Sequence, residues 1–222
     1  MQFFENTRHE RQGGTHCFLA IHDDPDPSKK LAVVAFRGTD KDDPTDLLDD
    51  VDAPLVGWQA GGKVFDGWKD AIGEVKDRLL PAIQPIDYKL LITGHSLGAA
   101  MATLLGSLKT PTALYTVGSP RVGDQDFVNS LGGVTSFRYV DCCDVVTELP
   151  PVALGYGHLG DPLYIDRNRK MTPNPSDNAI SADRLIARVE YLVKYAWKSG
   201  NVGVRDLADH APINYATAIA AQ

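Results

Sequence analysis

One stretch constrains the fold more than any other: "LITGHSLGAAMATLLGSL", which runs from Leu91 to Leu108. An apolar segment typical of a buried strand reaches Gly94, Ser96 stands between that glycine and Gly98, and a helix of small residues follows. Glycines on both sides let strand and helix approach closely, while the serine adopts a strained backbone conformation and projects its hydroxyl. The pattern predicts a sharp strand–helix turn that presents Ser96 as a nucleophile. The alternative is a glycine-rich turn whose serine is incidental.

Around this turn the chain alternates predicted strands and helices. This alternation predicts an α/β fold, in which helices flank a mostly parallel central sheet and an antiparallel hairpin forms the N-terminal edge. Pro81 is expected to end or kink its helix. The predicted strands are "THCFLAIHD", "KKLAVVAFRG", "DYKLLITG", "TALYTVG" and "TSFRYVD", and the predicted helices are "GWKDAIGEVKDRLLPAI", "SLGAAMATLLGSLK", "DQDFVNSL", "ADRLIARVEYLVKYAWK" and roughly Pro212 to Ala221.

The helix "ADRLIARVEYLVKYAWK" is amphipathic by sequence. Its apolar positions recur with helical spacing, which predicts a face packed on the core, with the Arg and Lys residues on the solvated side. The apolar set is Leu185, Ile186, Val189, Leu192, Val193, Ala196 and Trp197.

Length and charge limit the classes of function. The 222 residues, 43% of them hydrophobic, are enough for one domain over residues 1–222 with a substantial core. A formal net charge of −7 disfavours nucleic acid as a partner. No window approaches the roughly twenty apolar residues that span a membrane. The N-terminal segment lacks the apolar region of a signal peptide, so we expect a cytoplasmic protein, or a secreted one whose leader has been removed.

The cysteines favour a reduced protein. Cys17, Cys142 and Cys143 are odd in number, and two are neighbours, which is a poor framework for disulfides.

A serine nucleophile needs a histidine base and an acid that orients it. In this fold class the acid and then the histidine follow the serine along the chain. Asp141 ends a predicted strand and Asp144 lies in the loop after it, so both are candidates for the acid. His158 and His210 are the candidate bases. Order and placement favour His210, which lies in a loop before the last helix.

Several ordered blocks resemble the class 3 lipases, the fungal-lipase-like α/β-hydrolases. The resemblance spans about Gly14 to Ala220. It implies the α/β-hydrolase fold, with Asp144 as the acid and His210 as the base, and a structural role for His158. The blocks are "VVAFRGTD", "GW" at Gly67 and Trp68, "LLITGHSLGAAMATL", "YTVGSPRVGD", "RYVDCCDVVTELPP", "GYGH" and "DHAPINY".

Acyl transfer also needs donors for the oxygen that becomes negatively charged. The backbone N–H of Leu97, directly after the serine, is one donor on geometric grounds. The family resemblance implies that Thr39, after Gly38, supplies the other. We expect Arg121 to brace the loops beneath the site, and His95 to be a buried, hydrogen-bonded neighbour.

The segment at about 40–62 occupies the position of the lid in this family, but its composition is unusual. Between Asp40 and Asp52 it holds seven Asp and one Lys, and Leu47, Leu48 and Val51 form its small apolar patch. Such a surface is poorly suited to docking on an oil droplet. A calcium loop is the alternative, although the central glycine and closing glutamate of an EF-hand are missing.

The sequence leaves three functions open. The chain is a hydrolase of acyl glycerols or similar esters, an esterase or acyltransferase for another acyl group of feruloyl or thioester type, or a non-enzymatic lipase-like binding protein. We expect a small-molecule or lipid ester as partner, at most transient contact with lipid surfaces, and no metal or other cofactor. Candidate walls of the acyl pocket are Val145, Leu149, Val152 and Trp58, with Leu55 and Val56 in the lid region.

Overall fold

A computed structural model describes residues 1–5, 14–38, 54–195 and 205–222. The strands are β1 (Gln2–Glu5), β2 (His16–His22), β3 (Leu31–Phe36), β4 (Leu55–Gly57), β5 (Lys63–Phe65), β6 (Lys89–His95), β7 (Ala113–Val117), β8 (Gly123–Asp124), β9 (Ser136–Asp141), β10 (Tyr156–Gly157), β11 (Pro162–Ile165) and β12 (Met171–Pro173). The helices are α1 (Asp66–Ile83), α2 (Leu97–Leu108), α3 (Gln125–Ser130), α4 (Asp177–Tyr195), α5 (Arg205–Ala208) and α6 (Pro212–Ala220), and short 3-10 turns cover Pro27–Lys29, Val145–Glu148 and Val152–Leu154.

The main sheet has the strand order β1-β2-β3-β6-β7-β9-β11-β12. Its central strands β3, β6, β7, β9 and β11 run parallel, while β1, β2 and β12 pair antiparallel at the margins. The predicted α/β class, the mostly parallel sheet and the antiparallel N-terminal hairpin are therefore confirmed. A smaller sheet, β10-β8-β5-β4, lies beside it.

Helices α1 and α2 follow their sequence patterns. One face of α1 is buried at Trp68, Ile72, Val75, Leu79 and Ile83, as helical spacing requires. Residues 98–106 of α2 are all buried, because this helix is apolar or small on every side. Pro81 lies inside the last turn of α1, and the helix ends two residues later.

Helix α4 contradicts the prediction made for it. Of its predicted core face, Leu185, Ile186, Val189, Leu192 and Val193 are between 42% and 74% exposed. Ala196 and Trp197 lie outside the described residues.

The charged face of α4 is turned toward the protein instead. Arg184 donates through Nε to the carbonyl of Cys142 at 2.6 Å, and Arg188 pairs with Asp206 at 2.9 Å. The neighbouring surface presents carbonyls and carboxylates, which need hydrogen-bond donors. Arginine side chains supply such donors, whereas apolar side chains would leave these groups unpaired.

Among the described helices, none is long and apolar enough to cross a membrane.

Candidate active site

Ser96 occupies the sharp turn between β6 and α2. Its backbone has φ 57° and ψ −129°, a conformation that L-residues rarely adopt. The turn is so tight that a Cβ on Gly94 would lie 2.1 Å from the Gly98 carbonyl oxygen, and one on Gly98 would lie 2.6 Å from the Phe36 oxygen. Larger residues at either glycine would push strand and helix apart. The predicted turn is confirmed, and the serine stands above the carboxyl end of the sheet.

Two residues distant in sequence complete a hydrogen-bonded chain with this serine. His210 Nε2 lies 2.8 Å from Ser96 Oγ, and His210 Nδ1 lies 3.0 Å from both carboxylate oxygens of Asp144. All three residues are buried, with the serine and the histidine each 7% exposed and Asp144 fully enclosed. The structure therefore brings together the serine, acid and histidine that the sequence selected.

The carboxylate of Asp144 is fixed by two further donors. Asp144 caps the 3-10 turn Val145–Glu148 and accepts the backbone N–H of Val146 at 3.0 Å. Tyr215 donates its hydroxyl to the other oxygen. These bonds engage both oxygens of the carboxylate, so the acid has little freedom to turn away from the imidazole.

Tyr215 is a site residue that sequence reasoning missed. It is 1% exposed, and its hydroxyl also accepts the backbone N–H of Asp141 at 2.9 Å. Burial, reinforced by the charge of Asp144, raises the pKa of Tyr215 well above its ordinary value, so the hydroxyl keeps its proton. Its position in the block "DHAPINY", on the first turn of α6 after the histidine, was the available signal.

Asp141, the rejected candidate for the acid, has a different partner. It is fully buried and forms an ion pair with Arg169 at 2.6 Å. Burial raises the pKa of Asp141 to about 6, although the guanidinium of Arg169 opposes that shift. Arg169 also donates to the carbonyl of Asn214, which ties the end of β9 to the start of α6.

His95 supports the backbone of the histidine. Its Nε2 donates to the carbonyl of His210 at 2.8 Å, and the two rings lie 4.6 Å apart between centroids. Burial, together with the nearby His210, lowers the pKa of His95 to about 4, so the ring is neutral at pH 7. The predicted role of His95 as a hydrogen-bonded neighbour is confirmed.

His158 and Arg121 brace the loop that follows Asp144. His158 donates through Nε2 to the Thr147 carbonyl at 2.7 Å, and Arg121 donates to the carbonyls of Glu148 and Pro150, the latter at 2.9 Å. Burial, with the arginine charges nearby, lowers the pKa of His158 well below its ordinary value. These contacts bear out the bracing predicted for Arg121 and hold His158 in the loop.

The two predicted oxyanion donors differ in what the structure describes. Leu97 is the first residue of α2, where backbone N–H groups have no partner within the helix. Thr39 lies outside the described residues, but Gly38 before it packs against the turn. A Cβ on Gly38 would lie 3.2 Å from the carbonyl oxygen of His95 and 3.5 Å from the Cβ of Ser96.

The predicted pocket residues are divided. Val145 and Leu149 are half-buried in the acid loop, which is the segment 142–149 around Asp144, and Val152 is 64% exposed just after it. Trp58 is placed elsewhere: it is buried in the core and donates its indole N–H to Ser107 at 2.8 Å. Ser107 is eleven residues along α2 from Ser96, about 16 Å at 1.5 Å per residue. A buried partner at the far end of α2 keeps Trp58 away from the serine, so its assignment to the pocket is corrected.

The predicted lid at 40–62 lies largely outside the described residues. Its last part, from residue 54, contains strand β4 and a turn that leads into β5. Leu55 lies near the turn that follows the acid loop, since a Cβ on Gly155 would contact its Cδ1 at 3.7 Å.

The arrangement of these groups suits nucleophilic catalysis. A neutral imidazole can take the proton of Ser96 through Nε2 while its Nδ1–H stays on Asp144, whose charge stabilises the resulting imidazolium. The helix N-terminus beneath the serine places backbone donors and a positive dipole end at the same point.

Comparison with known proteins points to one family. Residues 33–154, more than half of the chain, match the family described as lipase (class 3). The chain is 35% identical over 163 residues to a lipase from Rhizomucor miehei, and the match covers 65% of this chain and 44% of that protein. A Fusarium solani protein named secreted mono- and diacylglycerol lipase 1 is 35% identical over 118 residues, 48% of this chain and 35% of its own. The matches thus span less than half of these relatives.

Solved structures show the same likeness. A crystal structure of a lipase from Rhizopus microsporus var. chinensis superposes with a TM-score of 0.65 at 25% identity, over 83% of this chain and 72% of that one. The Rhizomucor miehei lipase in its propeptide complex gives a TM-score of 0.59 at 32% identity, over 72% and 55% of the two chains.

Proposed function

The chain belongs to the class 3 lipase family, and we propose that it is a serine carboxylester hydrolase that cleaves acyl glycerols or similar esters. The observation that carries this proposal is the continuous hydrogen-bonded chain from Ser96 through His210 to Asp144. Residues 1–222 act as one catalytic domain in this proposal. Relatives that are named as secreted lipases favour a secreted protein over a cytoplasmic one.

The reaction proceeds in two halves through an acyl-enzyme. Ser96 Oγ attacks the ester carbonyl while His210 Nε2 accepts its proton, and the imidazolium then protonates the departing alcohol. Water repeats the sequence: His210 takes a proton from water, the hydroxide attacks the acyl carbon, and Ser96 recovers its proton as the carboxylic acid leaves. Asp144 remains ionised throughout and stabilises the imidazolium.

Backbone donors stabilise the oxyanion that forms in each half. The N–H of Leu97 at the start of α2 is one donor, and Thr39 after Gly38 is the other. Removing one such donor commonly lowers kcat about 100- to 1,000-fold, which indicates how much of the rate depends on this position.

We propose a preference for short or medium acyl chains. The segment from Asp40 to Asp52 carries seven carboxylates that are costly to desolvate and that anionic lipid surfaces repel. Its Leu47, Leu48 and Val51 would each contribute at most about 1.5–3 kcal/mol on full burial. Three exposed apolar side chains are near the site in sequence: Val152 and Leu154 follow the acid, and Ile213 follows the histidine, each at least 45% exposed. We assign them to the wall that contacts a short acyl chain.

Active-site labelling tests the chemistry. A fluorophosphonate should label the protein once, at Ser96, and Ser96→Ala should remain folded but lose label and at least about a thousandfold in kcat. Ser119→Ala is the matched control, because Ser119 is also buried but donates its hydroxyl to the Pro120 carbonyl. Turnover that survives in Ser96→Ala would refute the mechanism.

The same assay distinguishes the acyl groups. With p-nitrophenyl and glyceryl esters of rising chain length, rates should peak at short to medium chains and show no jump at the solubility limit. If the protein is labelled but does not hydrolyse these esters, and instead turns over a feruloyl ester or a thioester, it is an esterase or acyltransferase for another acyl group.

A further inference from the structure

Cys142 and Cys143 form a buried pair of thiols directly before Asp144. Adjacent side chains in an extended strand point to opposite faces, but the turn after β9 brings both onto the same side. Their Sγ atoms lie 3.5 Å apart, and the two residues are 0% and 1% exposed. The mechanism above uses neither thiol.

A carboxylate completes the cluster from the other end of the chain. Asp209 is 7% exposed, and one of its oxygens and the two sulfurs all lie within 4.8 Å of one another. Asp209 Oδ2 already accepts the backbone N–H of Cys143 at 3.1 Å, so the two segments are joined at this point.

The spacing of these atoms suits a single metal ion. With Zn–S bonds of about 2.3 Å in tetrahedral geometry, two sulfurs lie about 3.8 Å apart, a few tenths of an ångström from the observed separation. The carboxylate oxygen, within 4.8 Å of both sulfurs, needs a shift of at most about 1.3 Å to bond the same ion. Thiolate ligands select soft cations over Mg²⁺ and Ca²⁺.

Positive side chains surround the cluster. Two thiolates and a carboxylate around a divalent ion leave a net charge of −1, which needs compensation in a buried place. Arg205 donates to Asp209 at 3.1 Å and Arg184 to the Cys142 carbonyl at 2.6 Å. The nearby carboxylates of Asp206 and Asp183 are balanced by their own partners, Arg188 and Arg167, each at 2.9 Å.

The remaining polar contacts of the thiols would yield to an ion. Cys142 Sγ donates to Asp183 Oδ2 at 3.3 Å, and Cys143 Sγ donates to the Arg184 carbonyl at 3.7 Å. Both contacts depend on the thiol proton, which each sulfur loses when it binds metal.

We infer that Cys142, Cys143 and Asp209 form a binding site for a soft divalent cation such as Zn²⁺ or Cd²⁺. The inference goes beyond the proposed hydrolase. Binding converts two thiols to thiolates, releases two protons and leaves the fourth coordination position to water. Cys143 directly precedes Asp144 in the chain, and Asp209 directly precedes His210. An ion that draws these ligands together therefore also shifts the backbone of the acid and of the base.

Cadmium titration of the reduced protein tests the site. Wild type should develop the ultraviolet thiolate-to-cadmium band and saturate at one equivalent, with two protons released per ion. Cys17→Ala is the matched control, because Cys17 is also a free, buried cysteine but lies on β2. It should titrate like wild type, whereas Cys143→Ala should lose the saturable band.

A second variant guards against misfolding of the cysteine variant. Asp209→Asn keeps both thiols and an acceptor for the Cys143 N–H. It should weaken cadmium binding at least about tenfold, since losing even a residue that only orients a ligand commonly costs that much. Absence of the band in wild type, or its loss in Cys17→Ala with retention in Cys143→Ala, would overturn the site. Ester hydrolysis by wild type should fall as the band grows, and full activity at saturation would overturn the coupling to the triad.

Discussion

The serine and its partners are supported by two regions built in opposite ways. Ser96 stands on β6 and α2, where apolar side chains and two glycines set the geometry through close packing. The acid loop at 142–149 rests instead on polar contacts, with α4 turning its arginines inward and its leucines outward. The same helical pattern therefore predicts burial correctly only where the neighbouring surface is itself apolar.

The largest expected effect separates the two histidines that contact the acid loop, His210 and His158. His210→Ala should lose at least about a thousandfold in kcat, like Ser96→Ala, because serine and base act as one unit. His158→Ala should mainly lower the free energy of unfolding, since its ring braces the Thr147 carbonyl. Kinetics and denaturation of both variants check this, and activity that survives in His210→Ala but vanishes in a folded His158→Ala would reverse the roles.

A pair of leucine truncations tests the contrast between the helices. Leu104→Ala in fully buried α2 should lower the free energy of unfolding by about 2–5 kcal/mol through lost transfer energy and a cavity. Leu192→Ala in α4 should stay within about 0.5 kcal/mol, because its side chain is 62% exposed. Denaturant unfolding measures both. Equal losses would mean that the outer face of α4 is covered in solution.

Tyr215→Phe tests whether the tyrosine hydroxyl positions Asp144 in the acid loop. The variant keeps the ring but removes the hydroxyl that donates to Asp144 and accepts from Asp141. We expect kcat to fall about tenfold, which corresponds to about 1.4 kcal/mol, with little change in KM, because the hydroxyl orients the acid and does not touch substrate. A change confined to KM, or to stability with kcat intact, would argue against this positioning role.

The remaining effect is a pH dependence of the free energy of unfolding, which arises from buried groups around the acid and base. The pKa of His95 is lowered from 6.5 to about 4 by burial and by His210, and that of His158 is also lowered. Below about pH 6.5 the two histidines therefore bind protons in the unfolded chain but stay neutral in the folded state. The stability these two neutral rings contribute is complete above about pH 6.5 and is lost as pH falls toward 4.

Asp141 opposes this slope. Burial raises its pKa from 3.8 to about 6, so between these values the folded state holds a proton that the unfolded chain has released. The two histidines bind two more protons in the unfolded chain, and Asp141 binds one more in the folded state, so the net difference is one proton. The free energy of unfolding should therefore fall by about 1.4 kcal/mol for each unit that the pH is lowered between pH 6 and 4. Denaturation at several pH values measures it. His158→Gln should nearly abolish the slope, and an unchanged slope in that variant would exclude His158 as its source.

Much of the site was predictable from the sequence because its signals are local. The glycines around Ser96 indicate a close approach of strand and helix. The fold class sets the order of acid and histidine, and the family resemblance selects Asp144 over Asp141 and supports His210. Tyr215 was missed because the block "DHAPINY" marks its place after the histidine but does not show that its hydroxyl meets an aspartate 71 residues away.

The sequence by itself determined the strand–serine–helix turn, the parallel sheet and the identity of the three hydrogen-bonded residues. Only the tertiary structure decided which face of α4 is buried, that Trp58 lies at the far end of α2, and that Cys142 and Cys143 meet Asp209. The physical reason is range: backbone strain and helical period act over a few residues, whereas burial depends on the chemistry of the surface that a segment finally meets.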